Sequence, residues 1–292
     1  MTQTAGELLR LALEEKPLQM IGVSNPYLAI MAQECGFRAF YLSGAGVANF
    51  SFGLPDLDMM TLDNILDQAN RITNAVKTPL LVDVDTGWGG GLLLERAIQQ
   101  LCRIGVAGVH LEDQTWPKRC GHRHGKKVVP IPVMIERLKR ALDARQDRSF
   151  VVMARTDAYE AEGISGVIQR GVAYREAGAD MFFPEALTSL EEYRQVKIAV
   201  DCPVLANLTE FGQTPTFSKN ELARSGIDIV LYPLSINRVM NEAAYHALQT
   251  IRKQGTQRSL IPSMETREKL YERLNYIFWE NRSRDAHTHQ EK

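Results

Sequence analysis

Eight short apolar segments recur along this chain, and segments with helical periodicity separate most of them. The apolar segments are nearly continuous and do not alternate with polar residues, which is typical of strands buried on both faces of a parallel sheet. They span residues 18–23, 39–42, 80–84, 108–111, 150–154, 181–183, 204–206 and 229–232. Eight strand-then-helix alternations in one chain predict an α/β fold, a (β/α)8 TIM-type barrel.

The segments between the strands supply the helices. Residues 92–105, 131–144 and 164–179 have helical patterns, and the second of these segments places Ile135, Leu138 and Leu142 on one face. Two more helical segments, 238–255 and 264–280, follow the eighth strand. We therefore predict a single barrel domain over residues 1–280 with an extra C-terminal helix pair. The polar segment 281–292 predicts a disordered tail.

Composition excludes several classes of partner. The formal net charge is −1 over 292 residues, so no overall basic field favours nucleic acid or an anionic membrane. The N-terminal segment has no apolar core behind a basic lead, and no apolar run approaches a membrane span. The four cysteines have no disulfide framework spacing. We expect a cytoplasmic protein that binds neither nucleic acid nor membrane.

Active sites of TIM barrels lie at the C-terminal ends of the strands, and almost every predicted strand here ends in polar residues. Asp83 and Asp85 are two residues apart, so they share one face of a strand. Such a pair binds a hard cation such as Mg²⁺, although solvated or helix-capping acids remain an alternative. Glu112 and Asp113 could add outer ligands, and His110 is expected to be a packed histidine.

Small and cationic residues follow other strands. In the segment Ser43, Gly44, Ala45, Gly46, backbone N–H groups could approach a carboxylate, or the glycines could simply serve a tight turn. Arg155 ends the fifth strand and is suited to a carboxylate because its guanidinium is fork-shaped.

The segment 117–127 reads PKRCGHRHGKK and holds one cysteine, two histidines and five cations. Zinc is disfavoured because no second pair of ligands has zinc spacing. The cations are expected to lower the pKa of the Cys120 thiol, which would suit a nucleophile or an acid/base. A solvated basic loop with an incidental cysteine is the alternative.

Ten ordered motifs resemble the isocitrate lyase and phosphoenolpyruvate mutase superfamily over nearly the whole chain. They are YLSGAGVA, GLPD, LLVDVDTGWG, HLEDQ, KRCGH, MARTDA, FPEA, ANLTEFG, YPLS and the METR segment. The resemblance implies a (β/α)8 barrel whose last helix is swapped between subunits, usually in a homotetramer. It also implies a Mg²⁺-dependent carbon–carbon lyase that cleaves a small tricarboxylate, 2-methylisocitrate, to pyruvate and succinate in propionate catabolism.

By the same resemblance, Asp83 and Asp85 hold Mg²⁺, and Cys120 is the acid/base on a mobile loop. Tyr41 is our candidate for the base that deprotonates the substrate hydroxyl, or for the partner of that base. The substrate contacts implied are Ser43, Gly44, Ala45, Cys120, Gly121, Arg155, Glu185, Asn207, Leu208, Thr209, Arg238 and Arg267. The alternatives are isocitrate cleavage, another activity of the superfamily such as oxaloacetate decarboxylation, and a non-catalytic binding barrel.

Overall fold

The computed structural model describes residues 3–288, and its centre is one sheet of eight parallel strands. Each predicted apolar segment forms a strand, with bounds that differ by at most two residues. The strands are β1 (Leu18–Gly22), β2 (Ala39–Leu42), β3 (Leu80–Asp83), β4 (Gly108–Glu112), β5 (Val151–Thr156), β6 (Met181–Pro184), β7 (Leu205–Asn207) and β8 (Ile229–Tyr232).

The sheet curls into a nearly closed barrel. Its hydrogen-bonded order is β6-β5-β4-β3-β2-β1-β8-β7. The two outer strands meet through a parallel bridge between Phe182 and Val204, and the Phe182 N–H donates to the Pro203 carbonyl at 2.9 Å. The predicted (β/α)8 TIM-type barrel is therefore confirmed.

Helices follow the strands, as the alternation predicted. They are α1 (Ala5–Ala12), α2 (Pro26–Glu34), α3 (Gly44–Gly46), α4 (Leu62–Ala75), α5 (Gly91–Arg103), α6 (Ile131–Ala144), α7 (Tyr159–Glu176), α8 (Leu190–Ala199), α9 (Lys219–Arg224), α10 (Ser235–Gln254), α11 (Arg267–Arg273) and α12 (Tyr276–Thr288), with a π-helical turn Val47–Ser51 and a 3-10 turn Arg258–Ser263. None of the helices described within residues 3–288 has the length and apolar character that crossing a bilayer requires.

Local sequence explains where several helices begin. The Thr61 hydroxyl caps α4 and the Ser189 hydroxyl caps α8. In each case the backbone N–H of the cap residue donates in return to the side chain of the third helical residue. Alternating strand side chains then divide the core into two layers. Met20 packs inside the barrel, and its neighbour Ile21 packs against the surrounding helices. Because every strand pair is parallel, the C-terminal ends of the strands share one rim.

The chain divides into two compact units, Met1–Ile236, which contains all eight strands, and Asn237–Lys292. Within the second unit, the helix predicted over 264–280 is two helices. Asn275 interrupts it with a positive φ of 51°, a conformation that asparagine tolerates better than most residues. The α12 helix reaches Thr288, and the disorder expected over 281–292 stays a prediction. Residues 289–292 of that predicted tail lie outside the described residues, and the single domain over 1–280 stays a prediction.

Candidate active site

The C-terminal rim of the barrel concentrates buried polar side chains. Each of them comes from the end of a strand or from the first residues after it. The buried residues of this set are Ser43, Asp83, Glu112, Arg155, Glu185, Asn207 and Thr209. Burying so many polar groups costs free energy unless they are paired or ligand-bound. The contacts among them therefore define the candidate site.

Arg155 joins three strand ends. Its Nε lies 3.0 Å from Asp157 Oδ2 and 3.4 Å from Glu112 Oε2, and its Nη2 lies 3.2 Å from Glu185 Oε2. The guanidinium carbon also lies 5.0 Å from the centre of the Phe183 ring. Burial alone would lower the pKa of Arg155, but the three carboxylates hold it well above its usual value. This side chain is a fixed cation facing the barrel mouth.

Asp83 is held by donors from three elements. The Gly44 N–H donates to its Oδ2 at 3.1 Å, the Tyr41 hydroxyl lies 3.3 Å from the same oxygen, and the Asp85 N–H donates to Oδ1 at 3.1 Å. Burial opposes ionisation, yet His110, with Lys118 and Arg155, lowers the pKa of Asp83 to about 2. Asp83 is therefore a carboxylate at neutral pH.

His110 and Tyr41 form the floor beneath Asp83. His110 is fully buried, stacks on the Tyr41 ring and packs edge-to-face with the Phe183 ring. The expected packed histidine is therefore confirmed. Burial lowers the pKa of His110 to about 4. Burial and then Asp83 raise the pKa of Tyr41 well above 10. A phenolate is therefore disfavoured, and Tyr41 fits a hydrogen-bonding partner better than the base.

The segment after β2 forms one helical turn beside the acid pair. The Ser43 hydroxyl accepts from Gly46 N–H at 3.2 Å and caps the short α3, with Ala45 in its middle. The Gly44 N–H donates to Asp83, and the substrate contact of Gly44 stays a prediction. A Cβ at Gly44 would lie 3.3 Å from a carboxylate oxygen of both Asp83 and Asp85. This glycine lets the backbone approach the acid pair.

Asp85 and Lys118 form the second half of the acid site. Lys118 Nζ lies 2.7 Å from Asp85 Oδ1, as an ion pair without an aligned hydrogen bond, and 2.5 Å from Asp56 Oδ1. Burial, and then the neighbouring Asp83, raises the pKa of Asp85 to about 7. Burial would lower the pKa of Lys118, but Asp85, Glu112 and Asp56 hold it above its usual value. Repulsion between two buried carboxylates is relieved here by a cation.

The donor set fits a hard divalent cation. Asp83 and Asp85 offer oxygen atoms, and the buried Glu112 Oε1 has no hydrogen-bond partner. Within residues 3–288, no group of three or more His, Cys, Asp or Glu side chains is arranged to hold a metal. With Asp83 and Asp85 as its protein ligands, an ion here would keep most of its waters, which is the habit of Mg²⁺.

Asp113, proposed above as an outer ligand, has a different place. Its carboxylate accepts from the Thr156 hydroxyl at 2.6 Å, the Asp157 N–H at 2.9 Å, the Tyr174 hydroxyl at 2.8 Å and Arg170 at 3.1 Å. All these donors come from β5, its exit or α7. Asp113 therefore shapes the end of β5 and is saturated by protein donors.

The cysteine loop, residues 114–130 between β4 and α6, lies against the Arg155 cluster. A Cβ on Gly121 would collide with the side chains of Arg155 and Glu185. His122 Nε2 lies 3.1 Å from Glu185 Oε1 and 3.3 Å from Asn207 Nδ2. The loop thus brings Cys120, half-buried, to the same rim as the acid pair.

The expected lowering of the thiol pKa is wrong. Burial raises the pKa of Cys120, and the His122 N–H, which donates to the sulfur, offsets this only in part. Two of the loop cations do not face the thiol: Lys118 pairs with Asp56 and Asp85, and Lys126 pairs with Asp157 at 3.1 Å. Their charge is neutralised by buried carboxylates. A protonated thiol is the form that this site favours.

The remaining predicted substrate contacts lie after β7 and in the second unit. Leu208 and Thr209 continue from β7, and the Leu208 N–H donates to the Leu231 carbonyl at 2.9 Å. Arg238 lies in α10 and Arg267 begins α11, and both belong to the second unit. Sequence reasoning missed Asp56 as a partner of Lys118, and it gave Asp157, which pairs with Lys126, no role of its own. The GLPD and MARTDA motifs contained these two residues and were the available signals.

Comparisons with known proteins agree with this architecture. A family model described as phosphoenolpyruvate phosphomutase matches residues 8–252. A curated 2-methylisocitrate lyase of Shewanella oneidensis is 53% identical over 283 residues, covering 97% of each chain. A 2-methylisocitrate lyase of Escherichia coli is 48% identical over 279 residues, covering 95% of this chain and 94% of that one.

Solved structures give the same family. The crystal structure of 2,3-dimethylmalate lyase, described as a PEP mutase/isocitrate lyase superfamily member, is 34% identical with a TM-score of 0.88, covering 98% of this chain and 96% of that chain. Phosphonopyruvate hydrolase in complex with oxalate and Mg²⁺ is 25% identical with a TM-score of 0.84, covering 99% and 100%. The fold, the rim of acids and these similarities lead to one conclusion: the chain belongs to the phosphoenolpyruvate phosphomutase/isocitrate lyase family.

Proposed function

We propose that this protein is a lyase that cleaves 2-methylisocitrate to pyruvate and succinate in a Mg²⁺-dependent reaction. The names of its relatives support this substrate, at 46–53% identity over nearly the full chain for four of them. The observation that carries the proposal is the juxtaposition at one barrel rim of an acid pair, a buried Arg155 and a loop thiol. Such a site suits a polycarboxylate whose cleavage leaves a carbanion to protonate.

Asp83 and Asp85 would hold the metal. When bound, Mg²⁺ supplies positive charge to the oxygens of the hydroxy-acid half as it becomes pyruvate. The protein prepares that position in two ways. The Gly44 N–H and the Tyr41 hydroxyl orient Asp83, and Lys118 lowers the repulsion between the two acids until the ion binds.

Cys120 is proposed as the acid that protonates the succinate carbanion. Its raised pKa keeps the proton on sulfur at neutral pH, which is what a donor requires. Gly121 and His122 bring the thiol against the Arg155 cluster, so the closed loop also excludes water from the carbanion. Tyr41 is proposed as a positioning partner of Asp83, and the identity of the hydroxyl base is not assigned to it.

The carboxylates of the substrate need cationic and amide donors. Arg155 offers its guanidinium at the rim, oriented by Glu112, Asp157 and Glu185. We propose that Asn207, Leu208, Thr209 and the Ser43–Ala45 backbone complete the contacts around the ligand. Arg267 lies in the METR segment and Arg238 follows the YPLS motif, and both remain proposed substrate contacts.

A homotetramer with exchange of the last helix between subunits is also proposed. The second unit exposes Ile277, Phe278 and Trp279 along consecutive positions of α12, which is unusual for residues in contact with water only. The expected mass in sedimentation is about four times 32.8 kDa. A sedimenting species of single-chain mass would contradict the exchange. All four cysteines are free thiols, which supports the proposed cytoplasmic location.

The test is side-by-side turnover of 2-methylisocitrate, isocitrate and oxaloacetate by the purified protein. We expect 2-methylisocitrate to have the highest kcat/KM, since one apolar contact with the methyl group discriminates by about 10- to 200-fold. Activity should disappear after exhaustive chelation and return with MgCl2. Faster cleavage of isocitrate, or activity that survives chelation, would contradict the proposal.

Cys120→Ser examines the acid separately. A hydroxyl is a much weaker acid than a thiol, so the variant should lose most turnover while substrate binding by calorimetry is retained. Near-wild-type turnover would remove Cys120 from the mechanism without changing the proposed substrate.

A further inference from the structure

Gln213, in the loop between β7 and α9, contacts the cysteine loop and has no role in the proposed mechanism. The Gln213 N–H donates to His122 Nδ1 at 3.1 Å, and the Gln213 side-chain Nε2 donates to the His122 carbonyl at 3.1 Å. The two residues are 91 positions apart in sequence. Gly212 permits this approach, because a Cβ there would lie 2.6 Å from His122 Nδ1.

The backbone contact with Gln213 favours one tautomer of His122. A ring nitrogen that accepts an N–H carries no proton, so the proton of the neutral imidazole is on Nε2. That nitrogen faces Glu185 Oε1 at 3.1 Å and can donate to it. The His122 ring thus meets the Gln213 N–H at Nδ1, and at Nε2 it meets the Glu185 carboxylate, with the Asn207 amide 3.3 Å away.

The consequence reaches Cys120. The His122 backbone N–H donates to the Cys120 sulfur, and the Arg123 N–H donates to the Cys120 carbonyl at 2.9 Å. A group that fixes the His122 backbone therefore also fixes the direction of the thiol. The Gln213 side chain restrains the His122 backbone by donating to the His122 carbonyl.

We infer that Gln213 is a positioning residue that docks the cysteine loop onto the barrel rim and aims the Cys120 thiol through His122. The loop is anchored on its other side by Lys126, whose ammonium donates to the Gly121 carbonyl and to Asp157. Gln213 differs from Lys126 in belonging to another element, so it ties the closed loop to the exit of β7. The catalytic part of this inference rests on the proposed role of Cys120 as the acid, and the docking part does not.

The experiment compares Gln213→Glu and Gln213→Ala with the wild type. Glutamate keeps the size of glutamine but cannot donate to the His122 carbonyl when ionised, so it separates hydrogen bonding from packing. Thr216→Ala is the matched control, because Thr216 is exposed on the same loop. The first readout is the rate at which iodoacetamide alkylates Cys120 in ligand-free protein, followed by mass spectrometry. The exposed Cys35 is the internal reference.

We expect both Gln213 variants to increase Cys120 alkylation relative to Cys35 by about five-fold, the shift that loss of one neutral hydrogen bond gives. The kcat for cleavage should fall by a similar factor with a smaller change in KM, and Thr216→Ala should match the wild type. Unchanged Cys120 alkylation in Gln213→Glu would overturn the inference, whatever happens to kcat. If the wild type fails to cleave 2-methylisocitrate, the proposed function fails, and the alkylation rates still decide whether Gln213 docks the loop.

Discussion

Lys126→Met should open the cysteine loop and lower turnover. The Lys126 side chain is 1% exposed, donates to the Gly121 carbonyl and pairs with Asp157 Oδ1 at 3.1 Å. Methionine has similar length and no donor, so the change removes both interactions with little loss of volume. Both partners of Lys126 border the Arg155 cluster. Losing the two interactions therefore destabilises the closed position of the loop relative to an open one.

The magnitude follows from what remains around Asp157. Arg155 still binds this carboxylate through Nε at 3.0 Å and Nη2 at 3.2 Å, so the variant leaves no isolated buried charge. The cost is therefore nearer to the loss of hydrogen bonds to a charged group, about 1.5–3 kcal/mol, than to a broken buried ion pair, about 3–5 kcal/mol. At about 1.4 kcal/mol per factor of ten, the ratio of closed to open loop falls about 10- to 150-fold.

The assay measures kcat and KM together with the protection of Cys120 from iodoacetamide. We expect kcat to fall by about ten-fold or more and the protection to be lost. Lys127→Met is the matched control, since Lys127 is the exposed neighbour and should behave as the wild type. If Lys126→Met kept both its turnover and its protected thiol, the buried ion pair would not hold the loop and the reasoning would be refuted.

Two further predictions concern Cys120 and Gly121. Because burial raises the pKa of Cys120, the acid form persists as the pH rises, and kcat should decline only above the ordinary thiol range of about 8.5. A pH–rate profile with its alkaline limb below that range would contradict the raised pKa. Gly121→Ala should reduce kcat severely, because its Cβ collides with the Arg155 and Glu185 side chains when the loop is closed. Calorimetry should still detect Mg²⁺ at the acid pair in this variant, and wild-type turnover would show that the loop closes elsewhere.

Much of the fold could be read from local patterns. Continuous apolar runs are buried strands wherever both faces of a sheet are covered, so the eight strands were predicted within two residues. In a barrel the polar residues at the strand ends share one rim. The sequence therefore predicted that Asp83, Arg155 and Glu185 lie together. Local rules were less complete at Asn275, where a left-handed residue divides a segment with one helical pattern.

The electrostatics of the site could not be obtained this way. The sequence shows five cations near Cys120, and proximity along the chain suggested a lowered thiol pKa. Folding pairs Lys118 with Asp56, 62 residues away, and Lys126 with Asp157, 31 residues away. It also buries the thiol, and desolvation then outweighs the cations that remain.

The sequence by itself therefore determined the strands and the polar residues at their C-terminal ends, because periodicity and strand ends are properties of neighbouring residues. Only the tertiary structure decided which carboxylate neutralises which cation, that Gly44 serves Asp83, and that Gln213 meets His122. Those outcomes depend on distances between remote segments and on the exclusion of water, and neither quantity is encoded in local order along the chain.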